Sequence, residues 1–151
     1  MLSKSCVYAL RSIIFIACRA SIDGKLGIKA IAEELDLPTP YLGKILQQLT
    51  KHKIIQSVKG PNGGFYLSEE NKKVSLIKII EVIDGLAFFT SCGLGLQACS
   101  NEYPCPLHDD FKIYRDGLWD LFNSKKISDL VISVKDGESF IKNLPIREGK
   151  D

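Results

Sequence analysis

The strongest constraint on the fold is a five-residue segment rich in glycine and proline, Gly60-Pro61-Asn62-Gly63-Gly64. Glycine weakens a helix and proline breaks it, so no regular helix can continue through this segment. The segment separates two short β-prone runs, at about residues 54–59 and 65–67. Two such runs around a glycine-containing turn are typical of a β-hairpin, which the sequence therefore predicts here.

Most of the remaining chain shows the periodicity of helices. Apolar residues recur every three or four positions in a first helix at about residues 3–20 and a second at about 28–35. After a turn at residues 36–38, Thr39 as N-cap and Pro40 in the first helical position predict the start of a third helix. Further helices are predicted at about residues 75–84, 107–123 and 127–134. Two short helices around a tight turn, followed by a hairpin, form a winged helix-turn-helix, so the predicted fold class is mainly α with a small β-hairpin wing (α+β) and a long additional helix.

Charge is divided unevenly along the chain. The total of 20 Lys+Arg against 18 Asp+Glu is almost neutral. Residues 1–60 nevertheless carry nine basic and four acidic side chains, a net charge of +5, which leaves −3 for residues 61–151. A basic winged helix favours nucleic acid as the partner, although a basic solvated face on a protein-interaction module is the alternative.

The second helix of the motif suits the major groove of DNA, which is wide enough to admit one helix. Its lysines and those of the wing can reach phosphates, while Tyr41, Gln47 and Gln48 can read base edges. Small residues after Lys59 would let the backbone approach the duplex closely. The predicted DNA-binding residues are Lys29, Thr39, Tyr41, Lys44, Gln47, Gln48, Lys51, Ser57, Lys59, Gly60, Pro61 and Gly63.

Three of the five cysteines lie close together in the acidic half. Cys92, Cys99, Cys105 and His108 form the pattern C-x6-C-x5-C-x2-H, whereas Cys6 and Cys18 are predicted to be small buried apolar residues of the first helix. Three thiolates and an imidazole can hold an iron–sulfur cluster or a zinc ion, and the same thiols without a cofactor can sense oxidants. The spacing alone leaves these three interpretations open.

Several classes of protein are disfavoured. No apolar run approaches the roughly 20 residues of a membrane span, and an odd cysteine count without an export signal argues against a disulfide framework. A small thiol redox enzyme is the alternative from another functional class, but there is no C-x-x-C motif or sign of a substrate pocket. We therefore expect a cytoplasmic protein that is not an enzyme, with no membrane partner and no small-molecule substrate.

Together these parts resemble the IscR/NsrR-like bacterial transcription regulators. The resemblance extends from about residue 1 to 131. It rests on Tyr41-Leu42, the wing segment Ser57–Phe65, residues Ile79–Asp84 and the three-cysteine loop before a long helix.

The resemblance implies a homodimer formed through the long helix, with one winged helix per protomer on a palindromic double-stranded DNA operator. It implies a regulator that senses iron–sulfur, redox or nitric oxide status through a cluster bound by Cys92, Cys99, Cys105 and His108. Because His108 matches the fourth ligand of the [2Fe-2S] members and no acidic residue precedes Asp23, [2Fe-2S] is favoured over [4Fe-4S]. The chain departs from the family in having six residues, not the typical five, between its first two loop cysteines.

The expected regions are a winged helix-turn-helix at residues 1–85, a cluster-binding cysteine loop at 86–106, a dimerisation helix region at 107–134 and a flexible C-terminal tail at 135–151. We expect cluster loading or oxidation to change the relative pose of the two winged helices. Half-sites about 34–36 Å apart tolerate little error in that pose.

Overall fold

A computed structural model describes residues 1–142 as eight helices and one two-stranded hairpin. In chain order the elements are α1 (Lys4–Arg19), α2 (Ile28–Leu35), α3 (Thr39–Lys51), β1 (Gln56–Val58), β2 (Gly64–Tyr66), α4 (Glu69–Lys72), α5 (Leu76–Asp84), α6 (Ala87–Thr90), α7 (His108–Ser124) and α8 (Ile127–Lys135). The predicted fold class is therefore confirmed. Within the described residues no helix is both long and apolar enough to cross a bilayer.

Helix α1 forms the centre of the core and packs against α2, α3, α5 and α8. Its N-terminus is capped by the Ser3 hydroxyl, which accepts a hydrogen bond from the backbone N–H of Cys6 at 3.1 Å. Cys6 is fully buried, as predicted, and burial together with the nearby Asp84 carboxylate raises the pKa of its thiol to about 12. Cys18 is only half-buried.

The helix-turn-helix consists of α2 and α3. Asp36 ends α2 in the left-handed conformation (φ 54°), and the buried Leu37 then fixes the turn. The third helix begins at Thr39 with Pro38 as its N-cap, so the predicted N-cap role of Thr39 is wrong. Because the first four N–H groups of a helix have no intrahelical acceptor, Pro40 fits the second helical position as well as the first.

The wing is shorter than predicted and is joined by a third segment. β1 pairs antiparallel with β2, with Ser57 opposite Phe65, while Leu26 exchanges two backbone hydrogen bonds with Phe65 (2.8 and 3.0 Å). Gly64 has φ +148°, and a Cβ there would lie 2.6 Å from the carbonyl oxygen of Leu26. Only glycine allows these backbones to approach so closely.

The long helix α7 presents two different apolar faces. Phe122 and Trp119 pack edge-on around Phe89 of α6, whereas Leu118 and Leu121 are exposed. The apolar residues of this helix are therefore divided between a packed and an exposed face, because α5 and α6 cover only part of it.

The chain after α8 returns to α1 and α2. Arg11 Nε donates to the carbonyl oxygen of Ile141 at 2.8 Å, and Lys142 forms an ion pair with Glu34. Residues 136–142 of the predicted tail are thus attached to the helical core. The rest of that tail, residues 143–151, lies outside the described residues.

Candidate DNA-binding groove and cysteine loop

A groove of about 920 Å³ separates helix α3 from the wing. Eight of the twelve predicted DNA-binding residues line it, namely Lys44, Gln47, Gln48, Lys51, Ser57, Lys59, Gly60 and Gly63. Gly27, Ile28 and Gly43 also line it, which the sequence did not reveal because they are neither charged nor part of the wing segment. The groove thus has one wall of helix and one of hairpin.

The groove is basic. Lys44, Lys51 and Lys59 are exposed along it, and none of them forms an ion pair within residues 1–142. No acidic side chain is among the lining residues. Solvated lysines without carboxylate partners are available to phosphate groups, which supply most of the affinity in non-specific DNA binding.

Four predicted DNA-binding residues lie outside the groove. Lys29 on α2 and Pro61 at the wing tip are exposed, and Thr39 at the start of α3 is half-buried. The fourth, Tyr41, faces α1. The Tyr41 hydroxyl is hydrogen-bonded to Ser5, and its ring packs edge-on against Tyr8 with the centroids 5.8 Å apart. These contacts give Tyr41 a packing role between α1 and α3.

The two adjacent glutamines differ in their contacts. Gln48 Nε2 donates to the carbonyl oxygen of Val82 in α5 at 2.6 Å, whereas the side chain of Gln47 forms no hydrogen bond within the described part of the chain. The amide of Gln47 is therefore available to a base edge, while that of Gln48 joins α3 to α5.

We expect Gln47→Ala to relax specificity at one base pair per half-site, because a bidentate amide contact to adenine contributes about 1–3 kcal/mol of discrimination. Gln48→Ala, the matched control, should keep the wild-type preference. Selection from a randomised operator library followed by sequencing measures both. A changed preference in Gln48→Ala alone would contradict this assignment.

The cysteine loop brings its four predicted ligands together as two pairs. The sulfur atoms of Cys92 and Cys105 are 3.5 Å apart, and the sulfur of Cys99 is 3.3 Å from Nδ1 of His108. Among residues 1–142 no three Cys, His, Asp or Glu side chains converge closely enough to hold one metal ion. A zinc site with four ligands around one ion is therefore not what this loop presents.

His108 is buried, with 5% of its surface exposed, so it is not a solvated residue at the start of the acidic helix. Its Nε2 lies 2.8 Å from the amide oxygen of Asn101. Since an amide oxygen only accepts, Nε2 donates this hydrogen bond, and Nδ1 is the ring nitrogen that faces Cys99. Metal-binding histidines are commonly oriented in this way by a partner on the other ring nitrogen.

The two sulfur atoms of the first pair differ in their electrostatics. Backbone N–H groups of Leu94 and Leu96 lower the pKa of Cys92. The N–H of Leu107 favours the thiolate of Cys105, but burial and the sulfurs of Cys92 and Cys99 outweigh it and raise that pKa. Cys92 is thus the more readily ionised of the two.

The Rrf2 family profile, described as iron-dependent transcriptional regulator, matches residues 2–133. The chain belongs to the Rrf2 family. It is a transcription regulator with a winged helix-turn-helix and not an enzyme.

Individual Rrf2-type relatives agree with this assignment. A putative HTH-type transcriptional regulator of Aquifex aeolicus is 31% identical over 82% of this chain and 86% of its own length. The HTH-type transcriptional regulator IscR of Pectobacterium atrosepticum is 24% identical over 82% of this chain and 74% of its own length. The structure of CymR, the global cysteine regulator of B. subtilis, superposes with a TM-score of 0.71, at 23% identity over 87% of this chain and 96% of CymR.

Two residues at the cysteine loop of this Rrf2 protein were not found from the sequence. Asn101 and Arg115 contact His108 and Cys99, respectively. Asn101 resembles any polar loop residue, and Arg115 resembles any charge on an amphipathic helix. Only the fold shows their roles: Arg115 is buried against the sulfur of Cys99, and the exposed Asn101 is hydrogen-bonded to the His108 ring.

Proposed function

We propose that this Rrf2 protein is a homodimeric regulator that binds palindromic DNA and senses iron–sulfur, redox or nitric oxide status through a [2Fe-2S] cluster held by Cys92, Cys99, Cys105 and His108. The observation that carries the proposal is the arrangement of these residues as two pairs. In a [2Fe-2S] centre each iron takes two protein ligands, so two pairs of ligands suit it, whereas zinc needs four ligands around one ion.

The distances within the pairs fit this chemistry. Ligands bound at about 2.0–2.3 Å to one tetrahedral ion are separated by roughly 3.3–3.8 Å. The 3.5 Å between Cys92 and Cys105 and the 3.3 Å between Cys99 and His108 fall in that range. When bound, such a cluster would supply one-electron redox chemistry and a site of attack for nitric oxide.

The loop is seated by contacts with α7. The ring of Phe111 lies so close to Gly93 that a Cβ there would be 2.9 Å from the ring. His108 occupies the first position of the same helix. The stretch between Cys92 and Cys99, which has one residue more than the family pattern, begins at Gly93 beside Phe111 and is otherwise exposed.

The DNA-binding half is joined to the segment that leads into the loop. Val82 accepts a hydrogen bond from Gln48 of α3, and Asp84 accepts from the backbone N–H of Ser3 at 2.8 Å and from its hydroxyl. Val82 and Asp84 form the end of α5, which α6 and the loop follow directly. A change in the loop can therefore move α1 and α3 through the end of α5, and with them the pose of the winged helix on its half-site.

Dimer formation is supported by the exposed apolar face of α7. Ile113 and Tyr114 are 70% and 74% exposed, and Leu118 and Leu121 extend this face toward the end of the helix. Contiguous exposed apolar side chains of this kind mark interaction surfaces. A second copy of the same helix would cover them.

We expect protein purified without oxygen to contain about two iron and two sulfide per chain, with the absorption and Mössbauer spectra of a [2Fe-2S] centre. His108→Ala should weaken cluster retention, and Cys105→Ser should abolish it. Cys18→Ser, which removes a thiol outside the loop, is the matched control. A colourless protein with stoichiometric zinc would refute the cluster.

The short distance between Cys92 and Cys105 favours a second candidate function, a cofactor-free regulator that senses oxidants through a disulfide. Hydrogen peroxide would accept two electrons from the two thiols, their sulfurs would bond, and the thiol protons would leave in water. Cys99, held by His108 and Arg115, would stay reduced.

Under this alternative we expect peroxide treatment of the metal-free chain to cross-link the peptides that contain Cys92 and Cys105, as measured by mass spectrometry. Cys99→Ser should leave this bond intact. Equal cross-linking among all three loop cysteines would show that the pairing in the structure does not direct oxidation.

A further inference from the structure

Arg115 is the one side chain with a permanent charge that is buried within residues 1–142, with 8% of its surface exposed. It lies in the middle of α7. Taking a guanidinium out of water is costly unless an anion or several acceptors compensate it. The position therefore requires a partner for this charge.

The acidic neighbour of Arg115 compensates it poorly. Asp116 Oδ1 lies 3.6 Å from Arg115 Nε without a hydrogen bond, and this Nε is a buried donor with no acceptor in the described structure. The Asp116 carboxylate is half exposed and accepts a hydrogen bond from Lys112 at 2.9 Å. Asp116 therefore does not neutralise most of the positive charge of Arg115.

The contacts that Arg115 does form are with the cysteine loop. Its Nη1 donates to the carbonyl oxygen of Ser91 at 3.1 Å and to the sulfur of Cys99 at 3.2 Å. A single guanidinium nitrogen therefore connects Ser91, the residue before Cys92, with Cys99. These two points enclose the part of the loop that has one residue more than is typical of the family.

Arg115 and His108 act on the same sulfur atom. They are seven residues apart on α7, which is two helical turns, so they project from one face. His108 Nδ1 lies 3.3 Å from Cys99 Sγ and Arg115 Nη1 lies 3.2 Å from it. The first part of the loop is thereby anchored to the helix that carries the exposed dimer face.

We propose that Arg115 is the positioning residue of the cysteine loop, which fixes Cys99 against α7 and supplies the positive charge that compensates the anionic group bound by the cysteines. The second half of this statement rests on the proposed cluster. Three thiolates and two sulfides outweigh the charge of two ferric ions, so an oxidised [2Fe-2S] centre with these ligands is an anion and its reduced form more so. N–H groups directed at cluster sulfurs favour the reduced state.

The two parts of the proposal are tested with Arg115→Gln, which removes the charge, and Arg115→Lys, which keeps the charge but not the planar fork. Lys125→Gln, an exposed lysine just after the same helix, is the control for charge alone. All variants are compared with wild type as dimers of normal helical content.

The first measurement uses the reduced, metal-free chain, so it does not depend on the cluster. We expect amide hydrogen exchange across residues 91–100 to accelerate at least tenfold in both Arg115 variants and to be unchanged in Lys125→Gln. A single ammonium cannot reproduce the guanidinium contacts with both Ser91 and Cys99. Unchanged exchange in both Arg115 variants would overturn the positioning role.

The second measurement is the midpoint potential of the cluster. Arg115→Gln should shift the reduction equilibrium at least tenfold toward the oxidised state, a decrease of about 59 mV for one electron. Arg115→Lys should remain within threefold of wild type because it retains the charge. Equal potentials in wild type and Arg115→Gln would overturn the charge-compensating role. A wild-type protein that takes up no cluster would instead refute the proposed function. The positioning role would then be decided by the hydrogen-exchange result alone.

Discussion

Replacement of Lys44, Lys51 and Lys59 by glutamine should abolish operator binding at physiological salt while leaving the fold intact. All three side chains are exposed, line the groove between α3 and the wing, and have no carboxylate partner in the described structure. Their removal therefore breaks no ion pair of the folded chain. The substitutions should therefore weaken the binding of DNA and not the stability of the folded chain.

The size of this effect follows from counterion release. The proposed dimer would place six of these lysines on the duplex, and each phosphate contact contributes about 0.9 to the slope of log K against log salt. The triple variant should thus lose about five units of slope and at least roughly a hundredfold in affinity near 0.1 M salt. Binding isotherms at four or more salt concentrations measure both quantities.

A triple variant of Lys73, Lys78 and Lys112 provides the matched control. It loses the same net charge, but these lysines pair with Glu70, Glu81 and Asp116 outside the groove. Such surface pairs contribute little to stability. If the control lost as much slope as the groove variant, the total charge of the protein and not the groove would govern binding.

The second large effect is expected at the exposed face of α7. Leu118→Glu combined with Leu121→Glu would introduce four like charges into the proposed interface between two copies of this helix. Their desolvation and mutual repulsion oppose association, so the variant should be monomeric by sedimentation or light scattering at micromolar concentration. Phe122 and Trp119, which pack against Phe89 on the neighbouring face of the helix, are unchanged in this variant, so the core of the protomer should be retained.

Loss of the dimer should also be seen in DNA binding. Two linked winged helices gain affinity because the second half-site is bound intramolecularly, a gain of about a hundredfold or more. The monomeric variant should therefore bind a full palindrome hardly better than a half-site. Ile22→Glu, an exposed apolar residue far from α7 in sequence, is the control. A double variant that stays dimeric would place the interface elsewhere.

Local sequence was sufficient to predict most of the secondary structure. Helix α1, the α2–α3 pair and α5 agree with their predicted positions because each has a strong apolar stripe and clear residues at its ends. The four-residue helix α4 was not predicted. It depends on a capping box between Ser68 and Asn71, and the buried amide of Asn71 also donates to the carbonyl oxygen of Lys53. A helix of one turn has no periodicity that a sequence pattern could reveal.

The predictions about function show the same difference between features set by local sequence and features set by distant contacts. The basic groove residues on α3 and the wing were found because charge and spacing are local properties. The orientation of Tyr41 toward Ser5 and the hydrogen bond from Gln48 to Val82 depend on partners 36 and 34 positions away. Helical periodicity indicates that both residues point outward but not which neighbouring helix they meet.

The sequence by itself determined a winged helix-turn-helix with a thiol-rich loop before a long helix, because breakers, periodicity and cysteine spacing act over a few residues. Only the tertiary structure decided how the loop is organised: Cys92 with Cys105, Cys99 with His108, and a buried Arg115 joined to Ser91 and Cys99. These contacts arise where the loop folds back on α7. Their geometry depends on packing between segments that are distant in the sequence, which no local pattern records.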